Sequence, residues 1–351
     1  MFAAIAANQS WLDRHFLPSF FLPRYWYVWI ESSVRAAFAV AGLVLVLARR
    51  RVARRLTRAP GRTLQVFLAA LLAMGAGELA VRWMHLRPTE WLRPDDEPRR
   101  QPDPQLGWVL VPDRVGHASV SGRSIDYATD ADGYRVRRTQ DPIDRERPAI
   151  IFGGESVMFG EGLTWEESIP ARVEARVGVQ SANLAVHGYS TDQIYWRLAR
   201  ELPRFRQPVA VVAIFMPELF GRNLDDDRPH LAPGLTWAPA ERKSRLRSMA
   251  TWIIPFRRES TVERGVAITR EALHAIVRLA RDRGATPLVV IPQFGTEDAA
   301  LQAIRERIIT TDVPSLLVPL DPDWRLRWDR HPNARAAGVM AAAIAARLEA
   351  R

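Results

Sequence analysis

A hydroxyl becomes a useful nucleophile when a base takes its proton and a third group holds that base in the right tautomer. Three stretches of this 351-residue chain carry such groups. The first is Phe152-Gly-Gly-Glu-Ser156-Val-Met-Phe-Gly160, where a short apolar run meets two glycines and a serine. Glycine permits a sharp strand-to-helix turn. Such a turn would lift Ser156 to an open edge and set its backbone N–H at a helix start, favourable to a developing anion. An N-capping serine fits the same pattern. The second stretch is Asn183-Leu-Ala-Val-His-Gly188-Tyr-Ser-Thr-Asp-Gln193. Gly188 at a strand end can offer an unobstructed N–H to an oxyanion, or it is a plain turn glycine with Ser190 or Thr191 capping the next helix. His187 beside it reads as structural. The third is Trp328-Asp329-Arg-His331-Pro-Asn333, at the opening of the last helix. Asp329 and His331 can supply an orienting acceptor and a base, or they sit in a solvated loop with Pro332 in the first helical turn. If the three stretches meet, the available chemistry is acyl transfer through a serine.

The elements around these stretches would bring them together. From Pro148 onward, short apolar runs alternate with helical spacing. Ala149–Phe152, Asn183–Val186, Val209–Phe215, Pro287–Ile291 and Ser315–Pro319 read as strands, and helices are expected at about Glu167–Val177, Thr191–Leu202, Val262–Arg283, Glu297–Arg307 and Ala334–Leu348. Continuous apolar runs mark strands covered on both faces. Helical crossovers between them imply an α/β domain, a parallel sheet with helices on either side. Such sheets place their sites beyond the carboxyl ends of the strands, which is where all three stretches fall. Upstream, Leu106–Val111, Ser124–Ala128 and a turn at Asp130–Gly133 predict a small β-rich apron over 105–147. Five prolines between His85 and Pro104 predict an extended spacer over 86–104.

Jointly, the three blocks resemble those of the SGNH/GDSL hydrolase superfamily, over about residues 103–348. Gly154-Glu155-Ser156 with Gly160 is similar to its nucleophile block, Asn183…Gly188 to its oxyanion glycine block, and Asp329-Arg-His331-Pro-Asn333 with Gly338 to its terminal block. Pro104-Gln-Leu-Gly-Trp108-Val-Leu-Val-Pro112 and Asp132-Gly-Tyr-Arg135 resemble the apron of membrane-tethered, cell-envelope members. The resemblance implies three αβα layers around a flavodoxin-like, five-stranded parallel sheet over 148–351. It implies a serine esterase acting on O-acyl esters, with Ser156 as nucleophile, His331 as base, Asp329 as its partner, and an oxyanion hole from Ser156, Gly188 and Asn223. It implies no metal and no organic cofactor, and an ester or acylated glycan as substrate. An O-acyltransferase modifying cell-surface polysaccharide would use the same blocks. A non-catalytic glycan-binding or scaffold module would keep only the fold. The sequence departs from the pattern in three places. Glu155 stands for the usual aspartate, and Asp329 lies two residues before His331 where many members use three. In the third block, Phe215 is followed by Met-Pro-Glu-Leu-Phe-Gly-Arg-Asn223, so Pro217 and Glu218 occupy the usual asparagine region.

The first ninety residues have a different character. Val28 to Ala48 is a 21-residue stretch ending in AAFAVAGLVLVLA, with Glu31 and Arg35 four apart and Tyr25, Trp26, Tyr27 and Trp29 at its start. At ~1.5 Å per residue it is long enough to cross a bilayer. A second apolar stretch follows from Leu64, and spans are expected at about 28–48 and 64–84, within a membrane region 1–85. Between them Arg49–Arg62 holds seven arginines and no acid. The positive-inside rule makes that loop cytoplasmic and puts the rest of the chain on the periplasmic or extracytoplasmic side. Residues 1–24, with Phe16, Pro18, Phe20 and Phe21, would lie on the membrane surface. The late start of the first apolar stretch and the lack of a basic leader argue against a cleaved signal peptide. Residues 1–90 contain 12 Arg against 4 acids, which leaves only +2 of the net +10 for the remainder. A nucleic-acid partner is therefore not expected. No cysteine is present, which excludes disulfides, thiol catalysis and Cys-ligated metals.

Overall fold

The computed structural model describes residues 24–83, 96–241, 244–246, 257–327 and 329–350. The surface segment expected at the N-terminus, the spacer up to residue 95 and Trp328 lie outside the described residues. The chain divides into two compact units, Met1–Trp91 with Arg242–Glu259, and Leu92–Glu241 with Ser260–Arg351.

In the first unit, helix α1 spans Arg24–Arg58 and α2 spans Pro60–Trp83. Both are long and apolar enough to cross a membrane. Their apolar side chains are uncovered, with Leu47 76% and Leu72 74% exposed. The arginine-rich segment expected as a loop is instead mostly helix, because α1 continues to Arg58. Arginine is a good helix former, and the break comes only at Ala59, where Pro60 opens α2 in the position a helix tolerates. Glu78 on α2 accepts the backbone N–H groups of Arg245 and Leu246, each at 2.9 Å, and the Ser244 hydroxyl at 2.8 Å. A lone acid in an apolar helix thus satisfies the first donors of a segment 166 positions away.

In the second unit, strands β1 (Arg100–Asp103) and β2 (Gly107–Leu110) form a hairpin. The end of the expected spacer is therefore a strand. β3 (Val115–Val120), β4 (Arg123–Thr129) and β5 (Arg135–Val136) follow, and then β6 (Pro148–Gly153), α3 (Ser156–Phe159), α4 (Ile169–Val177), β7 (Gln180–Asn183) and α5 (Thr191–Glu201). After β8 (Gln207–Ile214) come a 3-10 helix at Pro217–Leu224 and the hairpin of β9 (His230–Ala232) and β10 (Thr236–Ala238). The chain ends with α6 (Glu259–Asp282), β11 (Thr286–Phe294), α7 (Ala299–Ile308), β12 (Ser315–Leu320) and α8 (Ala334–Glu349).

The main sheet has eight strands in the order β12-β11-β8-β6-β7-β5-β4-β3. The five from β12 to β7 are parallel, and β5, β4 and β3 continue antiparallel. This corrects the expected five-stranded parallel sheet. The apron extends the sheet because β7 would otherwise leave an unpaired edge, which Arg135 covers opposite Asn183. Strand β7 also ends at Asn183, three residues before the expected Val186, because the Asn183 side chain accepts the Ala185 N–H at 3.1 Å and turns the chain. The fully buried run Ala149–Phe152 sits at the centre of the sheet. Helices α4 and α8 pack together, while Ile268 and Ala272 of α6 form a separate cluster with Tyr195 and Trp196 of α5.

One apron residue ties the layers together. Arg135 is fully buried and donates to the carbonyls of Phe159 at 2.5 Å, Gly160 at 2.8 Å and Leu163 at 2.6 Å. Burial pushes its guanidinium down to about 10. Its carbon also lies 4.7 Å from the Phe159 ring centre. Gly160 has φ +87, and a Cβ there would stand 2.7 Å from Arg135 Nη1. Arg135→Met takes one donor from each of three buried carbonyls and leaves the Leu163 carbonyl with none among the described residues, while Asn183 Nδ2 still serves Phe159 and the Leu163 N–H still serves Gly160, so denaturant unfolding should show a loss of about 3 kcal/mol. Arg135→Lys should recover only part, because one ammonium cannot reproduce the planar fork.

Candidate active site

The turn after β6 is built by Glu155. Its carboxylate Oε2 accepts the Val157 N–H at 3.0 Å and caps α3. Ser156 is thus the first helical residue, and the capping role open to it in the sequence belongs to its neighbour. Its hydroxyl lies 2.7 Å from Glu155 Oε2 and 2.7 Å from His331 Nε2. His331 Nδ1 lies 2.5 Å from Asp329 Oδ1, which also accepts the His331 backbone N–H at 2.8 Å. The loop that holds both is fixed by Asn333, whose side chain caps α8 by accepting from Arg335 and Ala336. Ser156, His331 and Asp329 therefore form one hydrogen-bonded series. Ser156 and His331 are both buried.

A single hydroxyl proton cannot serve both Glu155 and His331. With the imidazole neutral and its Nδ1–H on Asp329, the Ser156 hydroxyl donates to Nε2. Once His331 carries a second proton, Nε2–H donates to Oγ and the hydroxyl is free to turn to Glu155.

The second block closes around the same point. Gly188 has φ +76, a left-handed conformation that suits glycine. Trp108 Nε1 of β2 donates to the His187 carbonyl at 2.9 Å. A trans peptide aims its N–H opposite to its C=O, so the apron sets the direction of the Gly188 N–H. Arg228 pins the next carbonyl, donating from Nη1 to Gly188 O at 2.7 Å. Ser190 and Gln193 form a capping box on α5. No acceptor among the described residues takes the backbone N–H of Ser156 or Gly188.

Asn223 is placed otherwise than expected. Its amide nitrogen donates to the hydroxyls of Thr191 at 3.0 Å and Thr269 at 2.7 Å, and its oxygen accepts the Thr191 N–H at 2.8 Å. These bonds brace α5 against α6 and occupy both amide donors. Glu218, in the third block, lies 3.6 Å from Arg325, and burial raises its carboxyl above the usual range.

Glu161 is a participant that the sequence reading missed; its only local signal is a carboxylate between two glycines. Its Oε2 lies 2.6 Å from His187 Nδ1 and 3.4 Å from His331 Nε2. Burial opposes the imidazolium of His331, but the Glu161 charge and then Asp329 overcome it and hold His331 above its ordinary value. Burial likewise opposes the Glu161 carboxylate, yet its two imidazole neighbours keep it well below the usual range. Desolvation pushes His187 down, so we take it as the neutral Nδ1–H donor to Glu161. Glu161, Asp329 and His331 also bring ligand-type atoms within 4.8 Å of one another. Both His331 nitrogens are already engaged, so a cation there would displace the contact to Ser156.

A narrow recess beside Glu155 is lined by Tyr189, Ile194, Ile214, Met216, Leu219 and Asn223. A larger, mostly apolar recess on α1 is lined by Trp26, Trp29, Ile30, Ser33 and Val34, and no histidine or carboxylate is among these lining residues to activate the Ser33 hydroxyl.

The three blocks thus gather at one end of the sheet. Solved structures similar to the chain include a GDSL-like lipase from Bacteroides thetaiotaomicron, with 13% identity and a TM-score of 0.36 over 60% of this chain and 91% of that one. A member of the lipolytic G-D-S-L family from Veillonella parvula matches at 12% identity and TM-score 0.35, over 56% of this chain and 95% of that one. An acetyl xylan esterase from Butyrivibrio proteoclasticus matches at 10% identity and TM-score 0.35, over 60% and 65%. No family model matches the chain, and no curated protein matches it. Likeness at this level concerns the fold and assigns no residue a role.

A base works only when unprotonated, and Glu161 favours its protonated form. Glu161→Gln should therefore lower the His331 pKa and move the acid limb of kcat/KM to lower pH. A pH–rate profile of the variant checks this; an unmoved limb, or one moved to higher pH, contradicts the assignment.

Proposed function

We propose that the chain is a membrane-anchored serine esterase acting on O-acyl esters at the cell envelope. The observation that carries this reading is the Ser156–His331–Asp329 series, with 2.7 Å and 2.5 Å contacts converging from distant loops. Ser156 Oγ attacks the acyl carbonyl while its proton passes to His331 Nε2. Asp329 holds the imidazole by Nδ1 and stabilises the imidazolium. The carbonyl electron pair moves onto oxygen, where the N–H groups of Ser156 and Gly188 receive it. Collapse expels the alcohol, which takes the proton from His331. Water, activated by the same base, then releases the acid and restores the serine. A sugar hydroxyl in place of water makes the same site an acyltransferase.

The narrow recess with Ile214, Met216 and Leu219 suits a short acyl group such as acetyl. The two apolar helices support anchoring in a membrane, and the arginines of Arg49–Arg62 support an extracytoplasmic placement of the domain that carries Ser156. No step calls for a metal or cofactor.

The full chain in detergent should react with a fluorophosphonate and hydrolyse aryl acetates faster than long-chain esters. Ser156→Ala should abolish labelling, and His331→Ala should lower kcat by at least about 10⁴-fold. Equal labelling of wild type and Ser156→Ala would remove the nucleophile assignment.

A further inference from the structure

Ser156 works beside unusual charge. Glu155 Oε2 is 2.7 Å from its Oγ, and Glu161 Oε2 is 3.4 Å from the imidazole that receives its proton. An oxyanion forming on the carbon attached to Oγ develops close to both carboxylates. Two backbone N–H dipoles face that repulsion, and Asn223 has spent its amide donors on Thr191 and Thr269.

The neighbouring residue is placed differently. In the 3-10 helix Pro217–Leu224, with about three residues per turn, consecutive side chains leave in directions some 120° apart. With Asn223 turned to α5 and α6, Arg222 reaches back over the nucleophile loop. Its Nη1 lies 4.0 Å from Glu155 Oε2 and 3.5 Å from the Tyr189 carbonyl, one residue past Gly188. The side chain is only 15% exposed. Among the described residues, its Nη2 and Nε have no acceptor at hydrogen-bonding distance. A guanidinium always carries its charge in a protein and has five donors. Here a mostly buried cation holds several of them unspent, next to the Ser156 turn and the Gly188 loop.

We propose that Arg222 is a catalytic residue, whose guanidinium donates to the oxyanion of the tetrahedral intermediate alongside the N–H groups of Ser156 and Gly188. As the Oγ–C bond forms and the Ser156 proton moves to His331 Nε2, the carbonyl pair becomes an alkoxide oxygen. Arg222 neutralises that charge and offsets the field of Glu155 and Glu161. On collapse the alkoxide reverts to a carbonyl and Arg222 is released unchanged. This rests on the esterase reading above.

The test compares wild type, Arg222→Met, Arg222→Ala, Arg222→Lys and Asn223→Ala as full chains in detergent, with an aryl acetate and with fluorophosphonate labelling. Loss of an oxyanion donor costs on the order of 10²–10³ in kcat. Arg222→Met should show such a loss with KM within about threefold of wild type and the melting temperature retained. Arg222→Lys should restore part of kcat, and added guanidinium ion should partly rescue Arg222→Ala, which a merely structural arginine would not allow. An Arg222→Met chain as active as wild type overturns the proposal. So does a large fall in kcat confined to Asn223→Ala, which would make the amide the donor. A wild-type chain that neither labels nor hydrolyses overturns the esterase reading, and this inference with it.

Discussion

The 2.7 Å contact between Ser156 Oγ and His331 Nε2 joins residues 175 positions apart. A hydrogen bond of that length tolerates only a few tenths of an ångström of drift, so everything between the two residues has to be rigid. The parallel strands supply the rigidity. Strand β6 delivers Ser156 and β7 delivers Gly188, while the loop after β12 returns His331 to the same end. Because the strands run in one direction, their carboxyl ends share an edge, and loops of unrelated sequence become neighbours there.

Charge makes the site unusual. One imidazole has Asp329 on Nδ1 and Glu161 near Nε2, and the hydroxyl between has Glu155. Removing carboxylates from water is costly unless hydrogen bonds and opposite charges replace the lost hydration. Glu155 receives the Val157 N–H, and Asp329 receives two donors from His331. Glu161 instead leans on two histidines, which makes its charge and the protonation of His331 mutually dependent. An imidazole held above its ordinary pKa binds its proton more tightly, and a smaller fraction of it is unprotonated near neutral pH.

The apron positions the loops around Ser156. Arg135 clamps the carbonyls that follow the Ser156 turn, Trp108 aims the peptide before Gly188, and Tyr189 donates to the Trp108 carbonyl at 2.7 Å. Gln193 Nε2 donates to Leu106 O at 2.6 Å from the far side of the same loop. Strand β5, which lengthens the sheet, and the separate β1–β2 hairpin thereby hold two of the loops that meet at Ser156.

Much of this was legible in order along the chain. Apolar runs ending in glycine marked the parallel strands, since burial on both faces leaves no polar alternation, and helical spacing between them implied the crossovers. Ser156, Gly188, Asp329 and His331 could be singled out because each stands at a strand end or helix start. Local pattern could not show that the apron joins the sheet, because a two-residue strand such as β5 has no periodicity, or that α1 runs on through its arginines. Glu161, Arg222 and Asn223 lie beyond such reading for a physical reason. Their roles depend on which atoms lie within about 4 Å, and that is set by packing between segments far apart in the chain. Residue types and their order were the sequence's own contribution; which carboxylate meets which imidazole, and which donor is left unspent, was decided by the tertiary structure.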